Sequence, residues 1–144
     1  MNEISKKQVK EIVTELKEYY GIKELKLNYS FVKDAKNKIY LINKDYKKIT
    51  TNLRINQLGL YFINISKDFR LSIEGSQIIG KMATKNIYKM PDKDLKEWLN
   101  GLDLETDDNS IGYKLIKNKD DFYGVGYFRD NKIRNFIPRY RRIK

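Results

Sequence analysis

The apolar residues of this chain first change their spacing at Gly21, and a chain that does so must hold both a helix and a sheet. Before the change, Val9, Ile12, Val13, Leu16 and Tyr20 recur at three and four residues and form one stripe of a helix. Ser5-Lys6-Lys7-Gln8 in front of them has the form of a capping box, in which the serine oxygen accepts from the Gln8 amide and the glutamine reaches back. Gly21 stands where such a helix stops. The spacing predicts a helix over about 6–20. After it Leu25, Leu27, Tyr29 and Phe31 alternate, and Ile39-Tyr40-Leu41-Ile42 follows the turn-like run 33–38, which predicts a hairpin.

Further along, 59–65 predicts another strand, and Ser72 is placed to cap a short helix through Ile73, Ile78 and Ile79, with Glu74 favourable in its positive first turn. A helix starting near Asp92 carries Leu95, Trp98 and Leu99 on one face and stops at Gly101. Three strands, 113–116, 122–128 and 133–137, close the chain, the last two joined by the turn-forming Asp130-Asn131. One helix, a hairpin and many short strands interrupted by two helices is α+β organisation. A small mixed sheet closed like a barrel is the simplest way to leave few open edges. The polar stretch 45–56 is the best candidate for a boundary between subdomains.

Charge narrows the partners. The formal net charge of +11 points to an anionic partner, with RNA, DNA and anionic membrane surfaces as the classes to weigh. Membrane is disfavoured, since no apolar run approaches the roughly 20 residues that a spanning helix needs. Five of the seven arginines (Arg129, Arg134, Arg139, Arg141, Arg142) fall in the last sixteen residues, whereas lysine is spread along the chain. Clustered arginine supplies forked planar donors suited to phosphates and base edges. Phe136 and Tyr140, interleaved with these arginines, add surfaces on which unpaired bases stack. The plainer reading of the same tail is a solubilising segment with a buried Phe136.

There is no cysteine and no histidine, so disulfides, thiol nucleophiles and the commonest general base are excluded. A reducing, cytoplasmic setting is the expectation. The partial phosphate-loop pattern Gly75-x4-Gly80-Lys81 fails because Met82 replaces the required Ser or Thr and because it falls inside a helix rather than before one. Lys81 reads instead as a cation facing a groove. Gly124-Val125-Gly126 sits inside an aromatic strand and reads as structural. The pairs Asp107-Asp108 and Asp120-Asp121 read as solvated turns rather than metal ligands or an acid/base pair. The spacing of Trp98 from Leu95 and Leu99 places it in the core. No enzyme, no cofactor and no metal are expected.

Two segments, 69–80 and 124–142, together with Trp98-Leu99-Asn100-Gly101, resemble the PUA-like RNA-binding domain at the C-terminus of RNA 5-methylcytosine methyltransferases of the Sun/Fmu class. In that pattern a strand with two alternating glycines leads to a basic residue, an asparagine, a proline and terminal basic residues. Here these match Gly124, Gly126, Lys132, Arg134, Asn135, Pro138, Arg141 and Arg142. The resemblance covers about residues 55–144 and implies a PUA-like pseudobarrel; residues 1–50 look loosely like a small α+β pre-PUA module. It implies docking on structured RNA, rRNA or tRNA, in rRNA maturation or RNA modification. The methyltransferase class's glycine motif for the methyl donor and its cysteine nucleophile are both missing, so an adaptor role follows, with a methyltransferase or ribosome-assembly factor acting in trans. The RNA-binding residues expected are Lys81, Tyr127, Lys132, Arg134, Asn135, Arg139, Tyr140, Arg141 and Arg142, with Tyr127 and Asn135 contacting bases or folding the strand. Two alternatives stay open. One is a protein-interaction module using the acidic 103–108 patch and the basic tail; the other is a small metal-dependent RNA-processing enzyme using the aspartates.

Overall fold

The computed structural model describes residues 1–44 and 59–143. The first helix, α1 (Lys6–Tyr20), begins and ends where its caps dictate. Ser5 accepts from the Gln8 amide, Gln8 closes the capping box, and Gly21 takes the left-handed conformation at the C-terminus (φ 64°). Its buried face is Ile12, Leu16 and Tyr20.

Five strands form a first, antiparallel sheet in the order β1 (Asn2–Glu3), β2 (Ser30–Lys33), β3 (Lys38–Ile42), β4 (Leu60–Asn64) and β5 (Arg70–Leu71). The hairpin β2–β3 turns on Asp34, whose Oδ1 accepts from the amides of Lys36 (2.8 Å) and Lys38 (3.0 Å). Its first strand starts later than the 25–31 alternation predicts. Leu25 is buried and Leu27 packs on the same core, but as irregular chain, so their spacing reflects contact with the core and not pairing. The expected boundary at 45–56 lies outside the described residues. β4 and β5 follow that boundary, yet they pair into the sheet that β1 to β3 begin.

A second, mixed sheet has the order β6 (Ile87–Lys89), β8 (Gly112–Asn118), β9 (Asp121–Arg129), β10 (Lys132–Asn135), β7 (Leu104–Glu105). Among the described residues only the β6–β8 pairing is parallel. Asp130 and Asn131, both at positive φ, make the tight turn from β9 into β10. The last strand ends at Asn135, short of the 133–137 predicted, and a single 3₁₀ turn (Arg139–Arg141) follows Pro138. The α+β class and the three helices expected are observed among the described residues. None of these helices is long and apolar enough to cross a membrane.

Between the two sheets lies α2 (Ile73–Gly80). Ser72 caps it, accepting from the Gly75 amide (2.9 Å) while its hydroxyl donates to the β4 carbonyl of Tyr61 (2.6 Å). On the other side the buried Ser76 hydroxyl accepts from the Gly124 amide in β9 (2.9 Å). Both helix glycines serve close packing: a Cβ on Gly75 would sit 2.2 Å from the Phe62 carbonyl oxygen, and one on Gly80 would enter the Phe122 ring. This explains the glycine pair that mimics part of a phosphate loop.

Two cores result. The larger joins α1, the first sheet, Ile79 of α2, and Leu115, Phe122 and Val125 of the second sheet. The smaller packs α3 (Asp92–Leu99) on the far face of the second sheet through Trp98, Ile116, Phe128 and Ile133. Trp98 is fully buried as predicted, its indole N–H donating to the Tyr123 carbonyl at 2.8 Å. Strands β8 and β9 are thus covered on both faces.

Gly75→Ala tests the wedge. Alanine is the better helix former by about 1 kcal/mol, yet the clash with backbone of β4 makes the expected outcome a lower melting temperature, measured by circular dichroism. An unchanged or higher value would show that α2 is free to move off β4.

Candidate nucleic-acid interface

Along the seam between the sheets, side chains from both form a basic, aromatic groove. Its centre is Phe136, which leaves β10 just past its last residue. The Arg70 guanidinium from β5 lies 4.5 Å from the Phe136 ring centre and that of Arg134 from β10 lies 5.3 Å from it. Tyr113 of β8 continues the aromatic row, 5.9 Å from Phe136 and 5.1 Å from Tyr127 of β9. A cavity of about 290 Å³ opens here, lined by Lys67, Arg70, Tyr113, Tyr127, Arg134 and Phe136 among others. Beyond Arg70 and Phe136 it meets a smaller one of about 100 Å³, where Lys38, Tyr61, Tyr140 and Arg141 gather. Lys38 lies 5.2 Å from the Tyr61 ring centre.

The groove is held in shape by neutral tyrosines and by internal hydrogen bonds. Burial and a hydrogen bond donated to Asp68 (3.0 Å) push the Tyr113 hydroxyl up to about 12, so it remains a donor. Burial raises Tyr61 as well, against the opposing pull of Arg70. Forked cations beside a row of aromatic rings can bind phosphates and cover the faces of unpaired bases.

Of the residues expected from the sequence, Tyr127, Arg134, Tyr140 and Arg141 meet in this seam. Arg141 also pairs with Glu74 of α2, which ties the tail to the wedge. Arg139 is exposed at the start of the 3₁₀ turn. The other four stand elsewhere. Lys81 ends α2 beside Asp120 and Asp121. Lys132 lines a cavity with Asp94, Glu105, Asp107 and Asp130, where carboxylates offset its charge. Arg142 lies over Gly101, where φ is +87° and a Cβ would collide with it, and its Nε donates to the Ile137 carbonyl (3.0 Å).

Asn135 folds the strand, one of the two roles open to it, and is corrected as a base contact. It is buried, and its amide nitrogen donates to the carbonyls of Trp98 (2.8 Å) and Leu102 (3.1 Å) while its oxygen accepts from the Ile137 amide (2.7 Å). Its backbone N–H donates to Asp103 Oδ1 at 2.8 Å. Both amide hydrogens are committed, so Asn135 shapes the chain and does not reach a base. Sequence reasoning missed Arg70, Lys38, Lys67, Tyr61 and Tyr113. Arg70 carried one signal: besides Arg54 it is the only arginine outside the C-terminal sixteen residues.

The acidic stretch is divided by structural duties. Asp103 holds the Asn135 amide, and Asp108 accepts from Lys114 (2.7 Å) and from the Ser110 amide (2.8 Å). These bonds, that from Lys114 foremost, hold the Asp108 carboxyl down at about 2. Among the described residues no group of three or more acidic side chains is placed to hold a metal ion.

The C-terminal part of the chain is a mixed sheet curled as a PUA-like pseudobarrel is. Residues 85–143 match the family described as the methyltransferase RsmF PUA domain, which confirms the resemblance to the C-terminal domain of the Sun/Fmu class. The match covers less than half of the chain and begins at Lys85, so the 69–80 segment that also suggested the resemblance lies outside it. What is matched is the PUA domain and not the catalytic domain of that enzyme. None of the curated proteins matches the chain.

Two outcomes are expected. Asn135→Ala should lower unfolding free energy by about 2 kcal/mol because it strands buried polar partners, whereas Arg134→Ala should stay within about 0.5 kcal/mol; urea denaturation distinguishes them. Asp108, with its folded value depressed, contributes stability that is present above about pH 4, its unfolded value. That contribution is lost as pH falls toward about 2. Asp108→Asn should therefore show a shallower loss of melting temperature across this window than the wild type.

Proposed function

We propose that this protein is an RNA-binding adaptor acting in rRNA maturation or tRNA/rRNA modification. The observation that carries the reading is the row Tyr127, Tyr113, Phe136 with Arg70 and Arg134 against Phe136, set in a seam open to solvent. Phosphates would be held by Arg70, Arg134, Lys67, Arg139 and, once freed from Glu74, Arg141. Structured RNA with an unpaired segment suits the groove best, since aromatic faces are useful only where bases are unstacked. The matched PUA domain supports the same reading, because it belongs to an enzyme named as a methyltransferase. The cytoplasm is the setting proposed, and a methyltransferase or assembly factor acting in trans would supply the chemistry. Lys132 and the carboxylates around it offer the adaptor a face of mixed charge, away from the groove, for such a protein.

The test is binding to tRNA and rRNA fragments across about 50 to 200 mM salt, a range over which many-contact complexes weaken strongly. Wild type should lose affinity steeply. An Arg70→Ala/Arg134→Ala/Arg139→Ala variant should bind at least about tenfold more weakly at low salt and show a slope of log affinity against log salt smaller by about 2, from roughly 0.7 per lost single-strand contact. Equal binding and equal slopes for both proteins would remove the groove from the account.

A further inference from the structure

Next to the groove lies a cavity of about 200 Å³ whose chemistry is the reverse of it. Its walls include Tyr19 and Glu15 of α1, Asp68 and Phe69 before β5, and Tyr113 and Tyr127 of the second sheet. Among the described residues no lysine or arginine lines it, in a chain with a net charge of +11. Asp68, Tyr113 and Tyr127 also line the groove, so the two spaces are continuous.

Its walls are fixed by their own contacts. The Tyr19 hydroxyl donates to the Tyr113 carbonyl (2.5 Å), and the Tyr113 hydroxyl donates to Asp68 Oδ1 (3.0 Å). The Tyr113 and Tyr127 rings meet edge to face. Gly112 completes the lining at φ +123°, where a Cβ would stand 2.9 Å from the Tyr19 hydroxyl. Tyr19 thus has room only because residue 112 has no side chain.

Aromatic walls with carboxylates and no cation repel phosphate and accept a flat group rich in hydrogen-bond donors. A strand in the groove would bring its bases within reach of such a space. Among the four bases, guanine alone presents two adjacent donors, N1–H and N2–H₂, on its Watson–Crick edge. One carboxylate can accept both. Adenine and cytosine place a ring-nitrogen acceptor beside their amino group, and uracil sets its single N–H between two carbonyls. Asp68 retains this capacity, because its hydrogen bond from Tyr113 occupies one lone pair of one oxygen.

We propose that this cavity receives a guanine splayed from single-stranded RNA in the groove, with Asp68 accepting from N1–H and N2–H₂ and the tyrosine rings covering the base. The proposal rests on the RNA-binding reading of the groove. It makes the N-terminal helix part of the recognition surface, through residues that precede the matched PUA region.

Fluorescence anisotropy with labelled heptauridine, and with the same oligomer carrying one central G, A or C, tests it at about 50 mM salt, where phosphate contacts are strong. Wild type should favour the G oligomer over heptauridine by about tenfold, the scale of one bidentate base contact. In Asp68→Asn the ratio should fall to within about twofold of unity; because it is normalised to heptauridine, a general change in groove charge cancels. Tyr127→Leu should lower the same ratio through lost stacking.

Wild type that binds all four oligomers equally would overturn the guanine proposal and leave the groove intact. A preference that survives Asp68→Asn would overturn it as well. Choline competing where no base is preferred would make the cavity a cation cage and equally overturn it. No binding of any oligomer, or of tRNA, would remove the RNA-binding reading itself, and the base site with it.

Discussion

Among the described residues the two sheets have no strand in common, and α2 is the bolt between them. Its contact with β4 is Gly75 against backbone, and its contact with β9 is Gly80 under the Phe122 ring, reinforced by hydroxyl bonds from Ser72 and Ser76. Because both approaches are too close for a Cβ, the helix sits at one depth only. That depth helps to set how the edges of the two sheets meet at the seam. Arg70 lies one residue before the last of the first sheet and Phe136 one residue past the last of the second, yet they stack at 4.5 Å.

The second determinant is strand alternation at the end of β10. Arg134 is exposed and Asn135 is buried, and their opposite roles follow from a period of two. Asn135 fastens the chain to the end of α3 and to Ile137, and it does so between the two residues that build the groove, Arg134 and Phe136. The groove is therefore set by a polar clamp buried directly beneath it. Binding there loses less side-chain freedom than binding to a loose tail.

What was legible in the sequence was mostly local chemistry. The capping box at Ser5 and the glycine at position 21 delimit α1 to the residue, since hydrogen bonds within four residues decide both ends. The turn at Asp130-Asn131 and the buried Trp98 were equally readable. Strand limits were less so: Leu25 and Leu27 touch the core without pairing, and alternation reports burial, not hydrogen bonding. The site was half legible. Arg134, Tyr127, Tyr140 and Arg141 share one stretch of chain, but Arg70 and Lys38 join them only through the pairing of β3, β4 and β5, a long-range fact with no local signature. Of the two roles open to Asn135, contacting a base or folding the strand, its inward place on the strand gives it the second.

A groove whose two banks belong to separate sheets couples ligand and scaffold. Any molecule that touches Arg70 on one bank and Arg134 on the other adds a tie between two sheets that are also joined by α2, by α1 and its shared core, and by hydrogen bonds such as Tyr113 to Asp68. Occupancy and cohesion of the two sheets then become linked quantities. The Arg141–Glu74 pair complicates that link, because a phosphate drawing Arg141 away would loosen the tail from the wedge while tightening the seam. Such a molecule would exchange one fastening for another, and the amide protons of the 3₁₀ turn and of β5 would change their solvent exchange in opposite directions.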